Sequence, residues 1–298
     1  MRRIIITGAS GVLGSELIKQ LMECNQYEIL GLTSSKELVK KKVPGVSYFD
    51  AGNLSPNNIS EIFKSDSIVV HCAFSREEDG EELAKSLSFA KQIFTISSKS
   101  GCSVINISSR SIYGQKYQPP WTEDSIPVPD TLYAIAKYSS ELLLESICYT
   151  NNCAFTSIRL AGLISPKLEK RLINRFVDQV LEGKDIVISG GKQQFAYLDV
   201  RDAAQGIIAI LNSKKNIWKK TYNLGSNKVY TIIDIAQIIN CVANEISKKS
   251  SKIVITKNPA KLFDGMDSSI LYSDFNWEPK ITIKETIKEI IKRKNYYL

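Results

Sequence analysis

The chain has 298 residues, of which 43% are apolar and 23% are charged. This length lies near the upper limit for one hydrophobic core, and the composition excludes disorder over the whole chain. The net charge of +8 suits an anionic ligand, but the basic residues are scattered and no basic recognition element is visible, so we expect no nucleic-acid partner.

Cysteine usage and hydropathy indicate the setting in which the protein works. The cysteines form no C-x-x-C pair, which argues against a disulfide framework or a metal site and favours a reduced, cytoplasmic location. No apolar run approaches the roughly 20 residues of a membrane helix, and Arg2 and Arg3 lead into a glycine loop rather than a signal-peptide cleavage region. We therefore expect no membrane partner. The cysteines are Cys24, Cys72, Cys102, Cys148, Cys153 and Cys241.

Short β-branched runs alternate with helical patterns in the first half of the chain. The predicted strands are Ile4–Thr7, Glu28–Leu32, Val46–Phe49, Ser67–Ala73, Ser103–Ser108 and Thr156–Leu160. The predicted helices are Val12–Glu23, 83–99 and 133–149. Such alternation is typical of a parallel sheet with helices on both faces, so it predicts an α/β fold with a doubly wound parallel sheet.

After Pro166 the alternation changes, which indicates a smaller C-terminal lobe interleaved with returns to the main sheet. We expect a main domain over 1–165, with returns at about 195–225, and a lobe made mainly of 166–298. The elements predicted here are helices at 167–182, Asp202–Leu211, 231–247 and 282–294 and strands at Ile186–Ser189 and Phe195–Leu198.

A glycine loop closes the first strand and opens the first helix. Gly8 permits the turn, Gly11 lets the backbone approach a pyrophosphate, and Gly14 allows close helix packing. The helix N-terminus adds amide donors and the positive end of its dipole. Placed after a strand at the start of the chain, this loop predicts a Rossmann-type dinucleotide site.

Two further motifs carry chemistry. Tyr133 and Lys137 stand four residues apart on a predicted helix, so their side chains share one face, and an ammonium close to a phenol favours the phenolate. Ser109 follows the strand Ser103–Ser108, at the sheet edge where α/β proteins bind ligands. A serine there can hold a carbonyl or alcohol oxygen.

These motifs together resemble the extended short-chain dehydrogenase/reductases, the NAD(P)-dependent epimerase/dehydratase family. The glycine loop, the S-S-x-x-x-Y-G segment at Ser108–Gly114 and the Y-x-x-x-K pair occur in the expected order over nearly the whole chain. Further matching stretches are Val70–Ala73, Pro120–Tyr133, Phe195–Asp202, Tyr222–Gly225 and Phe275–Pro279.

The resemblance implies roles for the residues. Tyr133 would be the general acid/base, Lys137 would bind the nicotinamide ribose and lower the pKa of Tyr133, and Ser109 would hydrogen-bond the reacting oxygen. Asp50 resembles the residue that contacts adenine, although a strand-end turn role is about equally expected. The full set of expected cofactor contacts is Gly8, Ser10, Gly11, Val12, Leu13, Gly14, Thr33, Ser34, Lys36, Asp50, Ala51, Cys72, Ala73, Ile107, Tyr133 and Lys137.

The second strand ends without the carboxylate that would accept from an NAD ribose. Thr33, Ser34 and Lys36 stand there instead, so the cofactor is expected to be NAD(P) with a lean towards NADP. Ser34 and Ser35 also suit helix capping. His71, the only histidine, lies in a buried strand and is expected to be structural.

Departures from the family pattern bear on the substrate. Arg110 and Ser111 stand where the sugar dehydratases carry an Asp-Glu pair, which argues against dehydration. Gly162 replaces a common diphosphate-contacting Asn, and the run from Lys192 to Gln194 lacks a usual Arg. The expected substrate contacts are Ser109, Arg110, Gly162 and Lys192, and the basic residues that could compensate are Lys167, Arg171 and Arg175.

The leading hypothesis is an epimerase or keto-sugar reductase acting on a nucleotide sugar. A reductase of non-sugar carbonyl compounds and a non-catalytic dinucleotide sensor are the alternatives. A homodimer is also expected through the helices 83–99 and 133–149. These helices have more apolar residues than one face directed at the core requires. The apolar residues are Leu83, Leu87, Ala90, Ile93, Phe94, Leu142, Leu143 and Leu144.

Overall fold

The computed structural model describes residues 1–257 and 262–295. A seven-stranded, fully parallel sheet forms the main body, in the order β11-β6-β5-β4-β1-β2-β3. Its strands are β1 (Arg2–Thr7), β2 (Tyr27–Thr33), β3 (Val46–Asp50), β4 (Ile68–His71), β5 (Ser103–Ser109), β6 (Phe155–Leu160) and β11 (Thr221–Leu224). The predicted doubly wound α/β fold is confirmed.

Helices cover both faces of this sheet because its strands are apolar on both sides. One face packs against α1 and α7, and the other against α3, α4 and α5. The bounds are α1 (Val12–Cys24), α2 (Lys36–Lys40), α3 (Pro56–Ile62), α4 (Gly80–Lys99), α5 (Leu132–Asn151) and α7 (Val200–Asn212).

A separate apolar core, rich in isoleucine, builds the smaller lobe. Its elements are α6 (Leu172–Leu181), β8 (Ile186–Ser189), α8 (Ile232–Ser247), β13 (Ile253–Thr256) and α10 (Ile283–Asn295). The remaining elements are β7 (Gly162–Ile164), β9 (Gln194–Phe195), β10 (Tyr197–Asp199), β12 (Tyr230–Thr231), α9 (Ser269–Phe275) and two short 3-10 turns at Arg110–Tyr113 and Lys215–Ile217.

The chain passes from the lobe back to the main sheet. Helix α7 packs on α1, and β11 pairs with β6 at the edge of the main sheet. The boundary at residue 165 stays a prediction, because the two bodies are interleaved rather than consecutive.

Two predicted elements differ from those observed. The helix expected over 167–182 begins only at Leu172, because Ser165 holds the preceding turn: its hydroxyl accepts from the Lys167 amide and its carbonyl from the Leu168 amide. The strand expected over Phe195–Leu198 is interrupted at Ala196, whose amide donates to Asp264 Oδ2 at 2.9 Å.

In the part of the chain that the structure describes, no helix has the length and apolar character needed to cross a membrane.

Candidate active site

The glycine turn is shaped by close backbone approaches. Gly8 has a φ of +65°, and a Cβ there would lie 2.9 Å from the Ala73 amide nitrogen. A Cβ on Gly14 would lie 2.3 Å from the Gly8 carbonyl oxygen. Gly11 precedes α1 and offers no side-chain cap, so the first amides of that helix keep their capacity to bind an anion. This turn therefore fits the pyrophosphate of a dinucleotide.

The expected ribose and adenine contacts gather beside this turn, at the carboxyl ends of β2 and β3. The Thr33 hydroxyl donates to Ser10 Oγ at 3.1 Å, and the Ala51 amide donates to the Thr33 carbonyl at 2.9 Å. Asp50 Oδ1 accepts from the Gly52 amide at 2.9 Å. Asp50 thus holds the strand-end turn, and the adenine contact stays a prediction.

The start of α2 presents polar groups to solvent at the same edge. Ser34 and Lys36 are exposed, whereas the Ser35 hydroxyl caps α2 by accepting from the Leu38 amide. Capping therefore occupies Ser35 and leaves Ser34 and Lys36 available to a ligand.

A cleft of about 500 Å³ joins the glycine turn to the predicted catalytic residues. Ser109 reaches it from the end of β5, and Tyr133 and Lys137 reach it from the first two turns of α5. Ser109 and Tyr133 both line the cleft, and Ser111 donates to Ser109 Oγ at 2.9 Å through its hydroxyl. The structure thus brings the three predicted residues together in one cleft.

Lys137 is buried beside the cleft. Its Nζ donates to the Ile107 carbonyl at 2.7 Å and lies 4.0 Å from the centre of the Phe74 ring. Burial lowers the pKa of Lys137 to about 7, and the nearby charge of Arg76 acts in the same direction. The side chain can therefore gain or lose its proton near neutral pH.

The ionisation of Tyr133 differs from the expectation that Lys137 lowers its pKa. Burial raises the pKa of Tyr133 above its ordinary value, and the charge of Arg76, the Ser109 hydroxyl and the charge of Arg171 oppose that rise. The Lys137 ammonium is directed to the Ile107 carbonyl and Phe74 instead. Tyr133 consequently carries its proton in this state.

His71 and Cys72 lie behind the glycine turn at the end of β4. His71 Nδ1 shares a hydrogen bond of 2.9 Å with the Thr7 hydroxyl, which also accepts from the Ala73 amide. Burial lowers the pKa of His71 to about 3 and raises that of Cys72 to about 12. Both groups are therefore neutral at physiological pH, and the contacts of His71 agree with a structural role.

A second cavity of about 220 Å³ adjoins the cleft on the side of the lobe. Arg76, Arg110 and Arg171 line both cavities, as does Gly162. Lys192 lies exposed outside both. Of the four expected substrate contacts, the structure therefore gathers Ser109, Arg110 and Gly162.

Arg110 is paired with a buried carboxylate that lies 154 positions further along the sequence. Its Nη1 lies 3.0 Å from Asp264 Oδ1. Burial raises the pKa of Asp264 to about 6, against the opposing effect of Arg110. At neutral pH this pair fixes the cavity wall to the segment that follows β13.

Sequence reasoning missed Phe74, Arg76, Glu78 and Asp264 as parts of the site. The first three lie in the segment that follows β4, so their position at the carboxyl edge of a parallel strand was a usable signal. Glu78 Oε2 accepts from the Tyr133 amide at 3.1 Å. Asp264 carried no comparable signal, because its partner is distant in sequence.

Residues 4–225 match the sequence model described as the NAD dependent epimerase/dehydratase family. The chain belongs to that family. The resemblance inferred from the motifs is confirmed, and the chain is of the extended short-chain dehydrogenase/reductase type.

Individual relatives of this family are distant but span nearly the whole chain. UDP-N-acetyl-alpha-D-glucosaminuronate decarboxylase of Bacillus cytotoxicus is 25% identical over an alignment of 276 positions that covers 85% of this chain and 83% of that protein. UDP-glucose 4-epimerase 4 of Oryza sativa subsp. japonica is 24% identical, covering 97% and 89%. The crystal structure of UDP-glucuronic acid 4-epimerase from Bacillus cereus in complex with NAD is 22% identical, covers 98% and 99%, and has a TM-score of 0.81. That structural likeness shows the shared fold.

Proposed function

We propose that the protein is an NAD(P)-dependent epimerase or keto-sugar reductase of a nucleotide sugar. The observation that carries this proposal is the convergence of Ser109, Tyr133 and Lys137 in one cleft with the glycine turn. When bound, the nicotinamide ring accepts a hydride in its oxidised form and donates one in its reduced form. The turn suits such a cofactor because α1 begins without a side-chain cap, which leaves its first amides able to bind a pyrophosphate. The turn keeps this shape only with glycine at positions 8 and 14, because a Cβ there would meet backbone atoms.

Tyr133 transfers the proton, and Ser109 binds the oxygen on the reacting carbon. The Ser109 hydroxyl holds that oxygen in place, and the Tyr133 hydroxyl exchanges a proton with it as the alcohol and carbonyl forms interconvert. Lys137 lies one helical turn further along α5 and lines the same cleft, where it would bind a ribose hydroxyl of the cofactor.

The charge of the cavities supports a nucleotide sugar over a non-sugar carbonyl compound. Three arginines line the space next to Tyr133, and such cations suit a diphosphate or an acidic sugar better than an apolar ketone. The relatives named above act on UDP-sugars by name. Retention of Tyr133 and Lys137 in the cleft argues against a non-catalytic dinucleotide sensor.

Dehydration is not part of the proposed chemistry. The two acidic residues of the following loop that could serve as acid and base, Glu123 and Asp124, do not line the cavities. Glu123 Oε1 accepts from the Asn223 amide at 2.8 Å, behind the site. Hydride transfer with one proton is therefore the expected reaction.

The activity test uses UDP-, GDP- and dTDP-hexoses with NAD or NADP, followed by mass spectrometry and NMR. An inverted carbinol at unchanged mass supports an epimerase, and a gain of two hydrogens on a keto-sugar with NADPH supports a reductase. Tyr133→Phe should reduce turnover at least about 100-fold while retaining cofactor binding, because only the proton-transferring hydroxyl is removed. A product lighter by one water, or full activity in Tyr133→Phe, would contradict the proposal.

The proposed cofactor preference leans towards NADP. Ser34 and Lys36 are exposed at the end of β2, where they can hydrogen-bond a 2′-phosphate, and Thr33 takes the strand-end position at which a carboxylate would repel it. Titration of the protein with both cofactors tests this preference. Lys36→Ala is expected to weaken NADP binding without weakening NAD binding. NAD binding at least about tenfold tighter than NADP binding would show the lean to be wrong.

We further propose that the protein is a homodimer joined through α4 and α5. These two helices pack side by side on one face of the sheet, and α5 carries exposed apolar side chains along its outer surface. A second subunit would cover that surface.

A further inference from the structure

Three arginines on the wall shared by the two cavities differ in their partners. Arg110 forms the ion pair with buried Asp264. Arg76 and Arg171 form no ion pair with a carboxylate of residues 1–257 or 262–295. The wall therefore carries two positive charges that its own ion pairs do not compensate.

The surroundings of these two arginines strengthen the positive potential. Arg76 and Arg171 line the same two cavities, so both guanidinium groups border one space. Burial lowers the pKa of Arg171, and the like charge of Arg76 acts in the same direction. Glu78 is the acidic residue among those that line the cleft, and one of its oxygens is engaged by the Tyr133 amide. An anion between the arginines would relieve their repulsion.

The position of the pair fits a ligand that extends from the cleft into the second cavity. Arg76 and Arg171 line both spaces, whereas Tyr133 lines only the cleft. Both arginines also act electrostatically on the Tyr133 hydroxyl. A ligand that reaches Tyr133 at one end and fills the second cavity at the other must pass them.

We propose that Arg76 and Arg171 together bind an anionic group of the substrate and thereby hold its reacting carbon beside Tyr133. This inference rests on the proposed function and names the residues that would select an anionic substrate. The anionic oxygens belong either to the diphosphate of a nucleotide sugar or to a carboxylate on the sugar, since guanidinium groups bind both in the same two-pronged geometry. Arg110 holds the cavity wall through Asp264 instead.

Binding measurements on single variants test the pair. Isothermal titration calorimetry, with an excess of whichever of NAD and NADP binds more tightly, compares wild type, Arg76→Ala and Arg171→Ala for UDP, UDP-glucose, UDP-glucuronate and inorganic pyrophosphate. Arg175→Ala is the matched control, because Arg175 is an exposed arginine on α6 that lines neither cavity. We expect each cleft variant to weaken at least one of these ligands about tenfold or more and Arg175→Ala to leave all affinities unchanged.

The pattern of loss identifies the anion. Similar losses for UDP, UDP-glucose and UDP-glucuronate assign the diphosphate, and a loss confined to UDP-glucuronate assigns the sugar carboxylate. Arg76→Lys should restore part of the affinity because it keeps the charge but not the two-pronged geometry.

Failure of the arginine assignment and failure of the proposed function give different results. Wild-type affinities in both cleft variants would overturn the assignment while leaving nucleotide-sugar binding intact. Binding of pyrophosphate but of no UDP ligand, with the pyrophosphate lost in Arg76→Ala and Arg171→Ala, would refute the substrate class and support the anion site. Absence of binding by all four ligands to wild type would overturn both.

Discussion

Burial governs the ionisation of Lys137. Its pKa in the folded protein is about 7, against 10.5 for the free side chain. Between these values the unfolded chain binds more protons, so the contribution of this group to stability rises as pH increases from about 7 to about 10. At lower pH the folded protein keeps a buried charge that favours unfolding.

Lys137→Met should remove that dependence. The variant is expected to be more stable than wild type at pH 6, because each unit by which folding lowers the pKa costs about 1.4 kcal/mol while the group is charged. The advantage should shrink as pH rises towards 10. Urea unfolding from pH 6 to 10 measures it, with exposed Lys252→Met as the control. Parallel pH profiles for wild type and Lys137→Met would contradict the prediction.

The Arg110–Asp264 pair makes a second residue-scale prediction. Arg110→Met leaves a buried carboxylate without its counter-charge, which typically costs about 3–5 kcal/mol. The cost should be largest at pH 8 and smaller at pH 5, where Asp264, with a pKa near 6, takes up a proton. Chemical denaturation at the two pH values tests this, and adding Asp264→Asn should recover much of the loss at pH 8. An equal cost at pH 5 and pH 8 would show that the charge of Asp264 does not cause it.

At the scale of elements, the close packing of α1 on the glycine turn requires that residue 14 has no side chain. A Cβ on Gly14 would meet the Gly8 carbonyl at 2.3 Å, so the turn would have to move away from α1. Gly14→Ala should therefore lower dinucleotide affinity at least about tenfold and cost about 1–3 kcal/mol of stability.

Gly80→Ala is the control for that substitution. A Cβ at this first residue of α4 meets nothing within 4 Å, so the change should be neutral or stabilising by up to about 1 kcal/mol. Calorimetry with NAD and urea unfolding provide the two readouts. Unchanged NAD affinity in Gly14→Ala would show that the turn tolerates displacement.

Helices and strands were predictable where the spacing of apolar residues along the sequence indicates the element type. The alternation of short apolar runs with helical patterns predicts the core strands and the helix that carries Tyr133 and Lys137. Ser109 was predicted as a site residue because it follows a parallel strand at its carboxyl end. The break at Ala196 could not be predicted, because it depends on an acceptor at Asp264. The role proposed for Arg76 likewise depends on the cavity wall that it shares with Arg171, a residue distant in sequence.

Lys192 shows the limit of motif position as a guide. It lies in the run that lacks the arginine usual in the family and was expected to contact the substrate. It is exposed, while its neighbour Gln193 is buried and donates to the Ser189 carbonyl. Two glycines with positive φ, Gly190 and Gly191, set this turn. Which residue of such a turn faces inward is a property of the folded lobe rather than of the motif.

At the scale of the molecule, the apolar positions named from the sequence for the dimer are mostly part of the subunit's own core. Five of them, Leu83, Ala90, Ile93, Phe94 and Leu144, are buried within the subunit. The exposed apolar side chains of α5 are Leu132, Ile135, Leu142 and Tyr149. The last three repeat every seven residues and so form one stripe along the helix.

Charging that stripe should separate the subunits. Light scattering at micromolar concentration should give a dimer for wild type and a monomer for the double variant Ile135→Lys/Leu142→Lys, with unchanged circular dichroism. Ile255→Lys, at an exposed apolar position of the lobe, should remain a dimer. A monomeric wild type would refute the proposed assembly.

The late return of the chain to the main sheet has a consequence during synthesis on the ribosome. Strand β6 is complete at Leu160, but its neighbour β11 begins only at Thr221, and α7, which covers α1, begins at Val200. Until those segments emerge, the nascent chain presents an unpaired strand edge and an uncovered apolar helix face. The first half of the protein is therefore most open to chaperone binding before the second half has been translated.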